Sequence, residues 1–502
     1  MIMLAILIFW RFGLYLFTVQ PIPANDAFIF DGGVIHWLQH GQYINPCIEQ
    51  GYPISSHQVF SIYPPLYQLA LLAWLPLFGT SAASTIALHL VLCALDAWLV
   101  ISLVVRFFPN NPQHRWLVGL LLAVTFDDRP DDLAHVFGLL ALGILMKWAH
   151  RGKSSWRFPL ALTFALVAAL FTSVVIGAMY CGAALLTAFV LWRNQNRKMF
   201  LAPFPCVVAA FVLIVAWIIH FHPLWWQGFL ENGRKQSVVQ GLHWPRLLDL
   251  MKLVRTVPLF VLSLALMPWM LLTRSSHPVG PWWCLTMGTW AMGIITLGLA
   301  MTWMAPDYGG YTVYLQVLVG AGMLEALAQR SRPLLKWSAL ALPVCVILVS
   351  FRAVGMSTWG VACAWSNGYF KTQEQLKTTL EPYTRSQSPV ILSSAYLYEA
   401  SQLGVQHPIH SDWYFDRADL SSNADVQGLI QLKPEMMVLT QFDYYRAFKS
   451  VLKKLETQSV KPAIFVKNLA VTPAPDSYVS LQRFVQHVSW APVVVRLNWN
   501  SP

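Results

Sequence analysis

Long apolar stretches alternate with short polar ones as far as residue 351, and the pattern then changes. The runs at 2–20, 83–105, 116–127, 133–149, 158–172, 174–192, 200–221, 256–273, 282–303, 312–328 and 334–351 each predict a transmembrane helix, about eleven spans in all. Several are shorter than the ~20 residues of a straight span, so flanking residues must contribute. Beyond Phe351 the pattern is that of a water-facing domain. A helix is expected at 371–384, a strand at 390–394, a helix at 396–404 ending on Gly404, a strand at 436–440 and a helix at 444–456. The fold class expected is therefore mainly α. A polytopic membrane helical bundle over residues 1–351 carries an external loop at 21–82, and a small soluble α/β domain occupies 352–502.

Charge orients the spans. Lys and Arg concentrate in alternate connections: Arg106 with Arg115, Lys147 to Arg157, Arg193 to Lys198, Arg274, and Arg330 to Lys336. The positive-inside rule assigns these to the cytoplasm. The N-terminus is then cytoplasmic, and 21–82, 127–132, 222–255, 304–311 and everything after 351 lie outside. Leu66–Phe78 conflicts with this parity, because counting it as a crossing would invert every later loop against its charges. It is read as an interfacial or re-entrant helix bounded by Pro64, Pro65 and Gly79, the competing reading being a twelfth span with a reversed N-terminus. Met1–Gln20 reads as an uncleaved first span, since polar residues and prolines follow it rather than a small-residue cleavage site.

Composition agrees: 56% of the residues are hydrophobic and 11% charged, which makes lipid rather than water the main solvent of this surface. The net charge of +11 does not indicate a nucleic-acid partner, because the cations punctuate apolar runs instead of clustering on a polar face. The seven cysteines have no zinc-type spacing. Cys47 and Cys363 alone fall outside the expected spans, and two reduced thiols are favoured there over a disulfide.

Acids are scarce, so their grouping is informative. One group is Asn25-Asp26-Ala27-Phe28-Ile29-Phe30-Asp31, just beyond the first span. A second is Asp127-Asp128-Arg129-Pro130-Asp131-Asp132, four carboxylates that repel one another unless cations, water or a metal compensate. Alternatively it is a solvated turn marking a helix N-terminus. The loop 222–255 brings Trp225, Trp226, Arg234 and Lys235 to the interface, a set suited to a headgroup phosphate and equally to a plain interfacial loop. Asp307-Tyr308-Gly309-Gly310 adds another acid at a turn. Asp96 lies within a span, where charge is expensive, and is expected to face other helices with His89 as its partner.

The order of NDAFIFDGGVIHWLQHGQY, SIYPPLYQLALLAWLPLFGTS and DDRPDDLAHVFGLLALGIL resembles the membrane glycosyltransferases of the GT-C superfamily, with their mannosyltransferase and aminoarabinose transferase relatives. ALFTSVVIGAMYCGAALLTAFVLW and APDYGGYTVYLQVLVGAGMLEAL also look like segments of that family, so the likeness covers about the first two thirds of the chain. It implies transfer of a sugar from a polyprenyl-phosphate carrier to a lipid or glycan acceptor, a protein acceptor being left open, at the external surface; the short loops and lack of targeting sequences favour a bacterial inner membrane over the endoplasmic reticulum. Asp26 would then be the base, with Asp31 competing for that role, and Asp131 and Asp128 would supply the later acid. Tyr63, Arg129, Arg234, Lys235, Asp307 and Tyr308 would contact substrates. The family's Asp-Glu pair is Asp26-Ala27 here, which weakens any claim for a metal, so a divalent cation is left open and no other cofactor is expected. A transporter or flippase of a lipid-linked sugar, and a scaffold whose external domain binds protein partners, are the other classes that many spans would fit.

Overall fold

The computed structural model describes residues 25–41, 64–108, 131–151, 155–194, 203–221, 259–264, 280–303, 311–330, most of 369–410, 423–440, 443–469 and 492–499, with scattered positions elsewhere. The expected span 116–127 and most of 2–20, 256–273 and 334–351 lie outside them, as do Cys47 and Cys363. The chain divides into two compact units. One is built from Met1–Ile8, Tyr63–Tyr67 and His89–Ala353, the other from Phe9–Ile62, Gln68–Leu88 and Val354–Pro502.

The helices preceding the C-terminal domain are α1 (Asn25–His40), α2 (Leu66–Phe78), α3 (Ala82–Phe107), α4 (Asp131–Arg151), α5 (Arg157–Thr172), α6 (Val174–Asn194), α7 (Pro203–Phe221), α8 (Pro281–Trp303) and α9 (Val313–Arg330). Among the described residues α3, α4, α6, α7 and α8 are long and apolar enough to cross a membrane. The protein is an integral membrane protein whose helical bundle carries large exposed side chains such as Trp98, Phe164 and Ile219, as a lipid-facing surface does. At its 13 residues α2 is ~20 Å long, short of the ~30 Å hydrocarbon core. Its end is set by Gly79, whose positive φ of 86° closes the last turn by donating its N–H to the Leu75 carbonyl at 2.8 Å.

Within the first unit the helices interlock through small residues. α4 packs on α5 and α6, α5 on α7, and α6 on α8, which also meets α9. A methyl group built on Gly138 of α4 would fall 2.0 Å from the Tyr180 ring of α6, and one on Gly288 of α8 2.5 Å from the Thr187 backbone. Glycine at these points is what lets the neighbouring helix approach. A single residue, Ser173, joins α5 to α6; it is extended (φ −146°, ψ 117°), its N–H bonds the Ala169 carbonyl, and Gly177 rests on the Leu170 backbone.

The C-terminal part of the second unit is a three-layer α/β domain. Its elements are α10 (Tyr369–Leu380), β1 (Val390–Leu392), α11 (Leu397–Leu403), β2 (Pro408–His410), α12 (Asn423–Leu432), β3 (Met436–Thr440), α13 (Lys449–Leu455), β4 (Ala463–Asn468) and β5 (Pro492–Asn498). The sheet runs β2-β1-β3-β5-β4, with β1 parallel to both neighbours and β5 antiparallel to β3 and β4. Alternate residues feed opposite faces: Val390, Leu392 and Val438 pack with Leu376 and Leu380 of α10, while Ile391, Met437 and Leu439 pack with Leu429 of α12 and Val451 of α13. β3, flanked on both edges and covered on both faces, is wholly buried, hence its continuous apolar run. The elements expected at 371–384, 390–394, 396–404 and 436–440 are present; the 444–456 helix begins as one π-turn, Tyr444–Phe448, and β2, α12, β4 and β5 are additional to those expected.

α11 packs against α1, α10 and β2, and Gln402 donates to the Thr80 carbonyl at 3.1 Å. Glu399 on α11 is half-buried with one carboxyl oxygen sealed from solvent. Burial pushes its carboxyl from 4.5 up to about 7, against the opposing pull of its own backbone amide and Lys377. The fold thus prefers the neutral acid. Its contribution to stability is complete below pH 4.5 and is lost as the pH rises to about 7. Glu399→Gln is expected to stabilise α11 at pH 8 by about 1–3 kcal/mol and to have little effect at pH 4.5. Amide-exchange protection of α11 in the full chain checks this, and equal gains at both pH values would contradict it.

Candidate functional site

α3 carries its polar residues on one stripe. His89, Cys93 and Asp96 stand at i, i+4 and i+7, and the stripe continues as Val100, Leu103, Val104 and Phe107, all buried. The polar half of this seam faces the first turn of α4. There Asp131 and Asp132 lie at the helix N-terminus, where unpaired backbone N–H groups and the dipole favour negative charge. Both are buried, at 2% and 4% exposure, and Asp96 is at 0%. Three acids buried inside a lipid-solvated bundle are costly, and such residues mark functional positions by default.

Two chains of polar contacts converge on this turn. In the first, the Tyr67 hydroxyl at the start of α2 meets His89 Nε2 at 3.0 Å, and His89 Nδ1 meets Asp132 Oδ2 at 3.3 Å. The Cys93 thiol donates to the same oxygen at 3.6 Å. In the second, the Tyr314 hydroxyl of α9 faces Asp96 from outside strict hydrogen-bond geometry. The Tyr314 ring packs on His135 at 4.6 Å between centroids, and His135 Nδ1 meets the Tyr180 hydroxyl at 3.0 Å. The notch at Gly138 admits the Tyr180 ring to α4 and so makes this last bond possible. Among the described residues, no group of three or more His, Cys, Asp or Glu side chains is arranged to hold a metal ion.

The sequence-derived residues are distributed unevenly over this picture. Asp131 is part of the buried centre: it and Asp132 open α4, as the alternative reading of a helix N-terminus expects, and both are buried rather than solvated, while residues 127–130 lie outside the described residues. Asp26 and Asp31 lie on α1 rather than on an open loop, and Asp31 is fully buried. Five residues apart on a helix, the two acids cannot share a face. His89 is not the partner of Asp96. Seven residues separate them, ~10 Å along the axis, and His89 turns to Tyr67 and Asp132 instead. Tyr63, Asp128, Arg129, Arg234, Lys235, Asp307 and Tyr308 lie outside the described residues. Tyr67, Cys93, His135, Tyr180 and Tyr314 were not anticipated, although the i, i+4, i+7 stripe on α3 and the placing of His135 one turn after Asp131 could have revealed two of them.

The chain was compared with known proteins. No protein-family model matches it, and no curated protein does. Among solved structures it is similar to ArnT from Cupriavidus metallidurans bound to undecaprenyl phosphate, with a TM-score of 0.52 and 11% identity over 98% of this chain and 96% of that one. The apo form of the same protein gives 0.48 and 13%, over 93% and 92%. That likeness shows the fold: the chain has a fold of the ArnT kind over 98% of its length.

Because Tyr180 reaches His135 only across Gly138, Gly138→Ala is expected to displace the ring and destabilise the bundle by about 1–3 kcal/mol. Tyr180→Phe, which removes only the hydroxyl, is expected to cost about 1 kcal/mol. Thermal unfolding of the full chain in detergent measures both, and a Gly138→Ala protein as stable as wild type would show that the notch is dispensable.

Proposed function

We propose that the protein is a GT-C-type glycosyltransferase that moves a sugar from a polyprenyl-phosphate carrier to an acceptor at the extracytoplasmic face of a bacterial inner membrane, with inversion at the anomeric carbon. The observation that carries this reading is the ArnT fold along nearly the whole chain. That ArnT structure holds undecaprenyl phosphate, a carrier of the class proposed here. A buried acid centre at the start of α4, where Asp131 and Asp132 are 2% and 4% exposed, adds local support.

In this reading the Asp26 carboxylate takes the proton of the acceptor hydroxyl as its oxygen attacks the anomeric carbon. The bond from that carbon to the phosphate oxygen breaks on the opposite face, and polyprenyl phosphate departs with the electron pair. Arg234 and Lys235 neutralise the leaving phosphate, and Asp131 orients the acceptor. About eleven spans, a cytoplasmic N-terminus and an external C-terminal domain belong to the same proposal.

Asp26→Asn is expected to lower transfer by about 10²–10⁴-fold with the protein still folded and membrane-inserted. Mass spectrometry of lipids from membranes with wild-type, variant or no protein reads the gain or loss of one sugar. Lipid profiles that are identical with and without the protein would reject the glycosyltransferase, and near-normal transfer by Asp26→Asn would reject Asp26 as the base.

A further inference from the structure

We propose that His89 is a positioning residue: through Asp132 it fixes the first turn of α4 and thereby holds Asp131 in the orientation that transfer uses. The inference rests on the reading of Asp131 as the acceptor-orienting acid and deepens it.

The bonding pattern assigns the direction of each contact. Asp132 Oδ2 faces two donor-capable groups, His89 Nδ1 and the Cys93 thiol, as an ionised carboxylate would. Nδ1 must then carry the proton, which leaves Nε2 to accept the Tyr67 hydroxyl at 3.0 Å. The order Tyr67–His89–Asp132 therefore ties the start of α2, the polar stripe of α3 and the N-terminus of α4 into one rigid link, with Tyr67 at 0% exposure and His89 at 1%. Asp131 and Asp132 are consecutive on α4, so whatever fixes the direction of one sets the other about 100° round the axis. Without the imidazole, the buried Asp132 carboxylate would keep one compensating donor fewer. The first turn would then rotate or loosen to bring that oxygen another partner, carrying Asp131 with it.

Substitution at one position separates this role from a merely structural one. In His89→Asn the side-chain amide nitrogen occupies the place of Nδ1, keeping the donor to Asp132 and losing Tyr67; in His89→Gln it occupies that of Nε2, keeping Tyr67 and losing Asp132. In membranes bearing the full chain, sugar transfer to endogenous lipid, read by mass spectrometry, is expected to fall about 10²-fold in His89→Gln and His89→Leu. It should stay within about tenfold of wild type in His89→Asn and Tyr67→Phe. Amide exchange of the peptide covering residues 131–138 should rise in His89→Gln and not in His89→Asn. Equal transfer and equal exchange in the Asn and Gln variants would overturn the proposal. Near-normal transfer by Asp131→Asn would also overturn it, and an Asn–Gln contrast surviving in the exchange data would then show that the failure lies in the role given to Asp131, not in the hydrogen-bonded link. If His89→Leu does not fold, the Asn–Gln pair still decides.

Discussion

A carboxylate inside a lipid-solvated bundle must be compensated from within the protein, and the membrane-embedded unit is organised around doing so for three of them. Asp131 and Asp132 are placed where a helix offers unpaired N–H groups, and Asp132 also receives an imidazole and a thiol from α3. Asp96 is set among tyrosines contributed by other helices. Groups from α2, α3, α4, α6 and α9 are thus committed to one locality. The core around them is mainly apolar, with Leu139, Leu142 and Leu145 on α4 and Leu315, Val317 and Leu318 on α9. Lipid supplies no force favouring one packing of such helices over another, so polar contacts and glycine notches select it.

On the proposed reading, the same arrangement gives the site its chemistry. A bundle that already pays for buried acids can keep one of them oriented without solvent competing for its lone pairs, which is the condition under which a fixed carboxylate acts most strongly on a hydroxyl. The second unit has an arrangement of its own. Its α11 lies against α1, the helix that carries Asp26, so a segment late in the chain supports a segment near its beginning.

Much of this was legible in the sequence, and what was not has physical reasons. Helices α3 to α9 emerged within a few residues of their bounds because a long apolar run in a chain with 11% charge has few other fates. Strand β3 was legible because four apolar residues and a threonine sit between polar flanks. β2 has three residues, and β4 leaves Phe465 and Val466 exposed at an edge, so neither shows a clean alternation. α1 was hidden by its acids and its Gly32-Gly33 pair, which read as loop. The partner of His89 was misjudged because position along one helix was weighed while the facing helix was unknown: Asp132 is 43 residues away in the chain, and no spacing rule reaches it.

The link at Ser173 carries a consequence of another kind. One extended residue reaches at most ~3.6 Å, and Gly177 already sits on the Leu170 backbone, so α5 and α6 have no slack between them. A bilayer thicker or thinner than the bundle prefers is met by tilting, and here neither helix can tilt alone. Hydrophobic mismatch is therefore felt by the pair as a unit, and through Tyr180 on α6 it is transmitted to His135, one turn along from the acids.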